Sequence, residues 1–230
     1  MAVRLSDSKW IMNPRTLHEL WQGAPDIAGA GTGSTAIEVS IDRPDGTAVG
    51  LAVIAHPHPL FGGTKDNKVV QTIARAFLQM GFVTVRPNFR GVGQSAGEHD
   101  NGRAETADHL AIARHALQTL MPDGSTRLAM AGFSFGAFVT THAAAQLATE
   151  GVQVEKQVLV GTACSRFDVA PVPANTLVIH GDADDTVPLD SVLEWARPQT
   201  LPVMVLPGVE HFFHGKLPLL KELIVRMYPA

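Results

Sequence analysis

The chain has 230 residues, of which 45% are hydrophobic and 17% are charged, and its formal net charge is -4. This length suffices for one domain with a substantial core, and the absence of any Lys/Arg-rich block argues against a nucleic-acid partner. No apolar run approaches the roughly 18 residues of a transmembrane helix. The first ten residues carry neither an apolar core nor a small-residue cleavage site. We therefore expect a cytoplasmic protein without membrane contact, whose single cysteine, Cys164, excludes an internal disulfide.

Residues 1–34 differ in pattern from the rest and are interpreted as an N-terminal arm and linker. The segment "PRTLHELWQG" predicts a short helix, and a Gly-rich connector follows it. The connector's G-x-G-x-G pattern precedes the first strand instead of joining a strand to a helix, so it does not indicate dinucleotide binding. The arm could dock on the body, fold over the site or join a homodimer, and these three roles stay open. Its large apolar residues are Trp10, Leu17, Leu20 and Trp21.

Residues 35–230 alternate short apolar runs with helical patterns, which predicts one α/β domain. The first run, "TAIEVSID", alternates apolar and polar residues, as an antiparallel edge strand does. Six later runs are Val/Leu-rich and nearly continuous, which indicates strands buried on both faces of a parallel sheet. We predict a doubly wound, mostly parallel sheet flanked by helices, without a cap domain. The six runs are "AVGLAVIAH", "FVTVRPN", "RLAMAG", "KQVLVGT", "TLVIHG" and "LPVMVLPG".

The segment "RLAMAGFSFGAFVTTHAAA" predicts a nucleophilic serine. An apolar strand enters Gly132–Gly136, a G-x-S-x-G motif, and a helix rich in small residues follows. The motif alone arises by accident often enough to be only a hypothesis, but the strand before it and the helix after it strengthen it. Such a turn exposes the serine oxygen and directs the next backbone N–H toward an oxyanion. We therefore predict Ser134 as nucleophile and Phe135 as one oxyanion donor.

A serine hydroxyl needs a base that is oriented by a carboxylate. On a fold of this type the acid and then the histidine follow the serine in the chain. The predicted strand "TLVIHG" is followed by "DADD", which offers Asp182, Asp184 and Asp185 as acids. The last predicted strand, "LPVMVLPG", is followed by "VEHFFH", which offers His211 and His214 as bases. Both segments follow strand C-termini and therefore share an edge of the sheet with the predicted nucleophile.

Over nearly all of its length after the linker, the chain resembles the α/β-hydrolase superfamily. Within it, the chain is similar to the small, lidless bacterial hydrolases related to dienelactone hydrolase. Their H-G-x-x-D-x-x-V-P pattern matches residues 180–188, which implies Asp184 as the acid, and their G-x-x-H matches residues 208–211, which implies His211 as the base. Dienelactone hydrolases carry cysteine where this chain has Ser134, so their cyclic-lactone substrate is not implied.

The loop "HPHPLFGG", residues 56–63, permits two interpretations. Two histidines one residue apart can ligate zinc, but the later ligand positions of metallo-hydrolases hold Leu60 and Phe61, so we expect no metal and no other cofactor. In the superfamily that the chain resembles, the loop after this strand supplies the second oxyanion N–H. Proline has no N–H, and the candidates are therefore Leu60, which is preferred, and Phe61.

These features predict a carboxylesterase-type serine hydrolase that forms an acyl-enzyme. Phenylalanines cluster in sequence near the predicted site, and Phe61, Phe133 and Phe212 are assigned to substrate binding. An apolar, open site favours a small-molecule partner, a carboxylic ester or thioester with a small to medium acyl group. Two alternatives stay open: an acyltransferase with the same three residues, and a non-catalytic binding module on the same fold.

Overall fold

A computed structural model describes residues 16–21, 36–121 and 127–228. Eight strands form one sheet in the order β1-β2-β4-β3-β5-β6-β7-β8. The pairs β1–β2 and β2–β4 are antiparallel, and all later pairs are parallel. The strands are β1 Leu17–Trp21, β2 Ile37–Asp42, β3 Gly50–Ala55, β4 Phe82–Pro87, β5 Leu128–Phe133, β6 Val154–Val160, β7 Leu177–Gly181 and β8 Val203–Leu206.

Helices cover both faces of the sheet, because successive residues of a buried strand point to opposite sides. Helices α1 and α5 pack on one face and α2, α3 and α4 on the other. The predicted doubly wound, mostly parallel α/β sheet is confirmed. The helices are α1 Lys68–Gln79, α2 Arg103–Leu120, α3 Phe135–Thr149, α4 Leu189–Ala196 and α5 Leu217–Met227, with 3-10 turns at Pro59–Phe61 and Arg197–Gln199. Within the described ranges, no helix has the length and apolarity required to span a membrane.

The N-terminal part of the sheet corrects two predictions. Leu17–Trp21 is a strand and not part of a helix, because it pairs along its length with Ile37–Asp42 of β2. Main-chain pairing with a distant strand here outweighs the local helical pattern. The same pairing means that β2 is antiparallel, as predicted, but lies inside the sheet and not at its edge. Trp10, the Gly-rich connector and the predicted boundary between residues 34 and 35 lie outside the described residues.

Candidate active site

The predicted nucleophile lies in the sharp turn between β5 and α3. Ser134 has φ +57° and ψ -119°, a backbone conformation that non-glycine residues adopt only when the surrounding structure imposes it. Its N–H donates to the carbonyl of Val160 at 2.9 Å, which ties the turn to the neighbouring strand β6. Phe135 is the first residue of α3, so its N–H has no acceptor within the helix. The turn thus presents a hydroxyl and a backbone donor together.

The glycines on either side of Ser134 allow backbone segments to approach closely. A Cβ on Gly132 would lie 2.3 Å from the carbonyl oxygen of Gly136. A Cβ on Gly136 would lie 2.4 Å from the carbonyl oxygen of Ala55, at the end of β3. The start of α3 therefore abuts the point where β3 passes into the "HPHP" loop. Neither glycine of the motif therefore has room for a side chain.

Three loops that follow β5, β7 and β8 bring a serine, a carboxylate and an imidazole together. Nε2 of His211 lies 3.1 Å from Oγ of Ser134, and Nδ1 of His211 lies 2.6 Å from Oδ2 of Asp184. All three side chains are buried, with 2 to 8% of each residue exposed. This is the spacing that proton transfer from the serine through the imidazole requires.

Asp184 is fixed by its second oxygen. Oδ1 accepts from the N–H of Thr186 at 3.0 Å and from that of Val187 at 2.7 Å, which leaves Oδ2 for His211. Burial alone would raise the pKa of Asp184, but the hydrogen bonds from His211 and Val187 outweigh burial and lower the pKa. The carboxylate is therefore ionised at neutral pH and oriented toward the imidazole.

The other candidate acids and bases are placed differently. Oδ1 of Asp182 accepts from the N–H of Gly208 at 2.6 Å, so this side chain fixes the loop that carries His211. Asp185 is exposed and contacts its neighbour Thr186. His214 is exposed and pairs with Glu210. Among the described residues, no hydrogen bond joins any of these three side chains to Ser134.

The predicted substrate-binding phenylalanines have different environments. Phe133 is fully buried in the core beneath α1 and α5, with its ring centroid 4.8 Å from that of His211. It supports the imidazole and offers no surface to a substrate, which corrects the prediction for this residue. Phe212 is 43% exposed, with its ring 5.1 Å from that of His211. Phe61 is 74% exposed.

His56, the first histidine of the "HPHP" loop, is a structural residue. Its Nε2 accepts from the N–H of Phe89 at 2.9 Å, so Nδ1 carries the proton and donates to the carbonyl of Pro57 at 2.6 Å. Burial lowers its pKa to about 3. Both ring nitrogens are engaged, which leaves none for a metal. Across residues 16–21, 36–121 and 127–228, no group of three His, Cys, Asp or Glu side chains is arranged to hold a metal ion.

The two predicted loop donors are already engaged. The N–H of Leu60 donates to Nδ1 of His58 at 3.2 Å, and the N–H of Phe61 donates to the carbonyl of His58 at 3.2 Å. Leu60 itself is 70% exposed. This geometry speaks against Leu60 as the second oxyanion donor. The next N–H after that of His56 belongs to His58, since Pro57 has none, and no acceptor in the described segments takes it. The sequence prediction considered only the residues after Pro59 and did not include the N–H of His58.

A buried ionic network, which the sequence did not indicate, anchors the far end of this loop. The Lys65 ammonium lies 3.0 Å from a carboxylate oxygen of Glu38 and 3.0 Å from one of Asp66. The Lys65 N–H donates to the side chain of Asn88 at 2.8 Å, and its carbonyl accepts from Arg86 at 3.0 Å. These contacts fix the loop to β2 and β4.

Because two histidines are buried in the neutral form, we expect acid to destabilise the fold. Burial lowers the pKa of His56 to about 3 and that of His109 to about 4, from the ordinary value of 6.5. The unfolded chain therefore binds more protons below pH 6.5, so this contribution is complete above pH 6.5 and decreases as pH falls toward the folded values. We expect about 2 kcal/mol lost per histidine between pH 7 and 5. Urea unfolding at each pH measures it.

His109→Gln should remove its own share of this pH dependence, about 2 kcal/mol between pH 7 and 5. The matched control is His214→Gln, because His214 is exposed on the surface. Identical pH dependence in His109→Gln and the unsubstituted protein would contradict the assignment of the effect to buried imidazoles.

The chain matches one described protein family and is similar to several known proteins. The family described as X-Pro dipeptidyl-peptidase (S15 family) matches residues 32–156, more than half of the chain. An α/β serine hydrolase without a lid from Xanthomonas campestris is 31% identical, with a TM-score of 0.80 over 96% of this chain and 99% of that one. A serine hydrolase homologue from Coxiella burnetii is 35% identical, with a TM-score of 0.74 over 95% and 99% of the chains. An uncharacterized protein of Rickettsia prowazekii is 31% identical over 72% of this chain and 73% of its own.

The chain belongs to the S15 family and is an α/β-fold serine hydrolase without a lid. Dienelactone hydrolase from Anabaena variabilis is 16% identical and shares the fold with a TM-score of 0.66 over 93% of this chain and 97% of that one. The predicted resemblance to the lidless hydrolases, dienelactone hydrolase included, is thereby confirmed. The substrate is a separate question, since one fold hosts many activities.

Proposed function

We propose that the protein hydrolyses carboxylic esters or thioesters through an acyl-enzyme on Ser134. The observation that carries this proposal is the continuous path from Oγ of Ser134 through His211 to Asp184, at 3.1 and 2.6 Å. A serine so placed is activated by the imidazole, which the carboxylate holds in one tautomer.

The reaction proceeds in two halves. Ser134 attacks the acyl carbonyl while Nε2 of His211 takes its proton, and the same nitrogen then protonates the leaving group. The N–H of Phe135, at the positive end of the α3 dipole, and the N–H of His58 stabilise the oxyanion. His211 then deprotonates a water molecule that releases the acid.

The surroundings of the serine favour small to medium acyl groups. Three apolar side chains on loops at the edge of the sheet that carries Ser134 are exposed: Leu60, Phe61 and Phe212, at 70, 74 and 43%. Such exposure of large apolar side chains beside a buried nucleophile is typical of a binding surface for an apolar group. No metal or organic cofactor takes part in this proposal.

Peptidase activity is the second candidate, because the matching family is described as X-Pro dipeptidyl-peptidase. That match ends at residue 156, before Asp184 and His211. A dipeptidyl-peptidase must also bind the substrate's terminal ammonium, for which a carboxylate is the usual partner. Glu105, a buried carboxylate near the site, already accepts from the N–H of Asp100 and of Gly102, both at 2.9 Å. Esters therefore fit better.

A substrate panel tests the proposal. We expect 4-nitrophenyl esters and acyl thioesters to be hydrolysed, with kcat/KM at least about 100-fold above that for Xaa-Pro 4-nitroanilides. Ser134→Ala should abolish both ester activities. Comparable hydrolysis of an Xaa-Pro anilide would favour the peptidase, dominant acyl transfer to an added alcohol would favour the acyltransferase, and no turnover would contradict an enzyme of this kind.

A further inference from the structure

An aromatic and basic rim lies on one side of the nucleophile. Four loops that follow the adjacent strands β4, β3, β5 and β6 build it. The rings of His58 and Phe135 are 4.8 Å apart, those of His58 and His99 are 4.6 Å apart, and those of Phe135 and Phe167 are 5.1 Å apart. We call this set the basic rim. Its members are His58, Phe61, His99, Phe135, Arg166 and Phe167.

Arg166 contributes a guanidinium without a carboxylate partner in the part of the chain that the structure describes. Its Cζ lies 6.0 Å from the centroid of the exposed Phe61 ring, and that centroid is 4.8 Å from the centroid of the His58 ring. Six other arginines, by contrast, pair with carboxylates. An unpaired guanidinium over an aromatic ring is suited to bind an anion.

His58 adds an N–H donor to the rim. Its Nδ1 accepts from the N–H of Leu60 at 3.2 Å, so the neutral ring carries its proton on Nε2. The Nε2–H has no acceptor within the described segments. The side chain is half-buried between the rings of Phe61 and Phe135, where a bound anion would be partly shielded from water.

His99 supplies a second, independent sign of a missing ligand. Its side chain is only 8% exposed, and its Nε2 is buried without a hydrogen-bond partner. Nδ1 lies 2.7 Å from Oε1 of the fully buried Glu105, but the geometry of this contact is not that of a hydrogen bond. A buried polar atom without a partner costs free energy that a bound polar group would recover.

The position of the rim assigns it to the acyl half of a substrate. His211 must protonate the leaving group, so the leaving group lies on the side of the loops that follow β7 and β8. The rim lies on the other side of Ser134, over β4, β3, β5 and β6. In the described segments, the rings that pack against His211 are those of Phe133 and Phe212, and neither belongs to the rim. We therefore place the acyl chain on the side of the rim, between Ser134 and Arg166.

We propose that the preferred substrates are esters or thioesters whose acyl chain ends in a carboxylate, which Arg166 and the Nε2–H of His58 bind. This inference rests on the proposed hydrolase function and names its substrate class. The exposed ring of Phe61 and the half-buried ring of Phe167 line the path of the methylene chain.

Two esters with the same six-carbon acyl chain test this directly: mono-4-nitrophenyl adipate, which ends in a carboxylate, and 4-nitrophenyl hexanoate, which ends in a methyl group. We expect kcat/KM to favour adipate. The adipate-to-hexanoate ratio should fall about tenfold in Arg166→Gln, less in Arg166→Lys, and decrease with added salt. The matched control is Arg197→Gln, because Arg197 is an exposed arginine before β8, at the opposite edge of the sheet.

Three other outcomes would overturn the carboxylate site, its assignment to the acyl side, or both proposals. A ratio near one, or a ratio that Arg166→Gln leaves unchanged, overturns the carboxylate site while Ser134-dependent hexanoate hydrolysis preserves the proposed function. An Arg166 effect seen only with 4-acetoxybenzoate against its methyl ester would place the anion on the leaving group and overturn the acyl-side assignment. Hydrolysis of no ester would overturn both proposals.

Discussion

Asp184→Asn is expected to lower kcat/KM for ester hydrolysis by about 10⁴-fold. The N–H groups of Thr186 and Val187 both donate to Oδ1, so the asparagine must keep its carbonyl oxygen there. Its NH₂ group then faces Nδ1 of His211 and forces that nitrogen to accept. The proton moves to Nε2, where the imidazole can no longer take the proton of Ser134. Steady-state kinetics on one chromogenic ester, with circular dichroism to verify folding, measures the loss.

Asp182→Asn is the matched control for this prediction, because Asp182 lies two residues away and binds the Gly208 N–H instead of His211. Its asparagine can still accept that bond, so we expect a loss smaller than about tenfold. Equal losses in the two variants would contradict the assignment of Asp184 as the orienting acid.

Gly136→Ala is expected to lower the free energy of unfolding by about 3 kcal/mol or more and to reduce esterase activity strongly. The added Cβ would lie 2.4 Å from the carbonyl oxygen of Ala55 and 2.5 Å from that of His56. Both contacts are with backbone, which cannot rotate away, so α3 must shift from the end of β3. That shift changes the position of Ser134 and of the Phe135 N–H relative to His211. Urea unfolding and ester kinetics report the two effects.

Gly46→Ala separates crowding from backbone strain. Gly46 has φ +108°, and a Cβ added there would meet no atom within 4 Å among the described residues. Alanine at this position therefore adds backbone strain alone, which lowers the free energy of unfolding by about 1 to 2 kcal/mol. If Gly136→Ala proved no more destabilising than Gly46→Ala, the close approach of α3 to β3 would not be the reason for the glycine.

Local patterns predicted most of the fold and the central residues of the site. Continuous apolar runs identified the buried parallel strands, and the strand, turn and helix around Ser134 follow from neighbouring residues alone. The expected order along the chain, with the acid and then the histidine after Ser134, limited the candidates for each to one short segment. The choice of Asp184 and His211 came from the resemblance to lidless hydrolases, and the contacts of 2.6 and 3.1 Å accord with it.

What the sequence missed depends on contacts between distant segments. Leu17–Trp21 is a strand because of a partner about 20 residues further along the chain. The sequence favours Leu60 as an oxyanion donor, since it does not show that Nδ1 of His58 accepts the N–H of Leu60. Phe133 is close to the site in sequence, but as the last residue of β5 it points into the core beneath α1 and α5.

Mass spectrometry after treatment with a fluorophosphonate tests the central claim most directly, since such reagents modify activated serines. We expect one equivalent of label on the intact protein, located by peptide mapping at Ser134, and none on Ser134→Ala. His211→Ala should also slow labelling greatly, because the hydroxyl then lacks its base. Labelling that persists in Ser134→Ala, or that maps to another residue, would contradict Ser134 as the nucleophile.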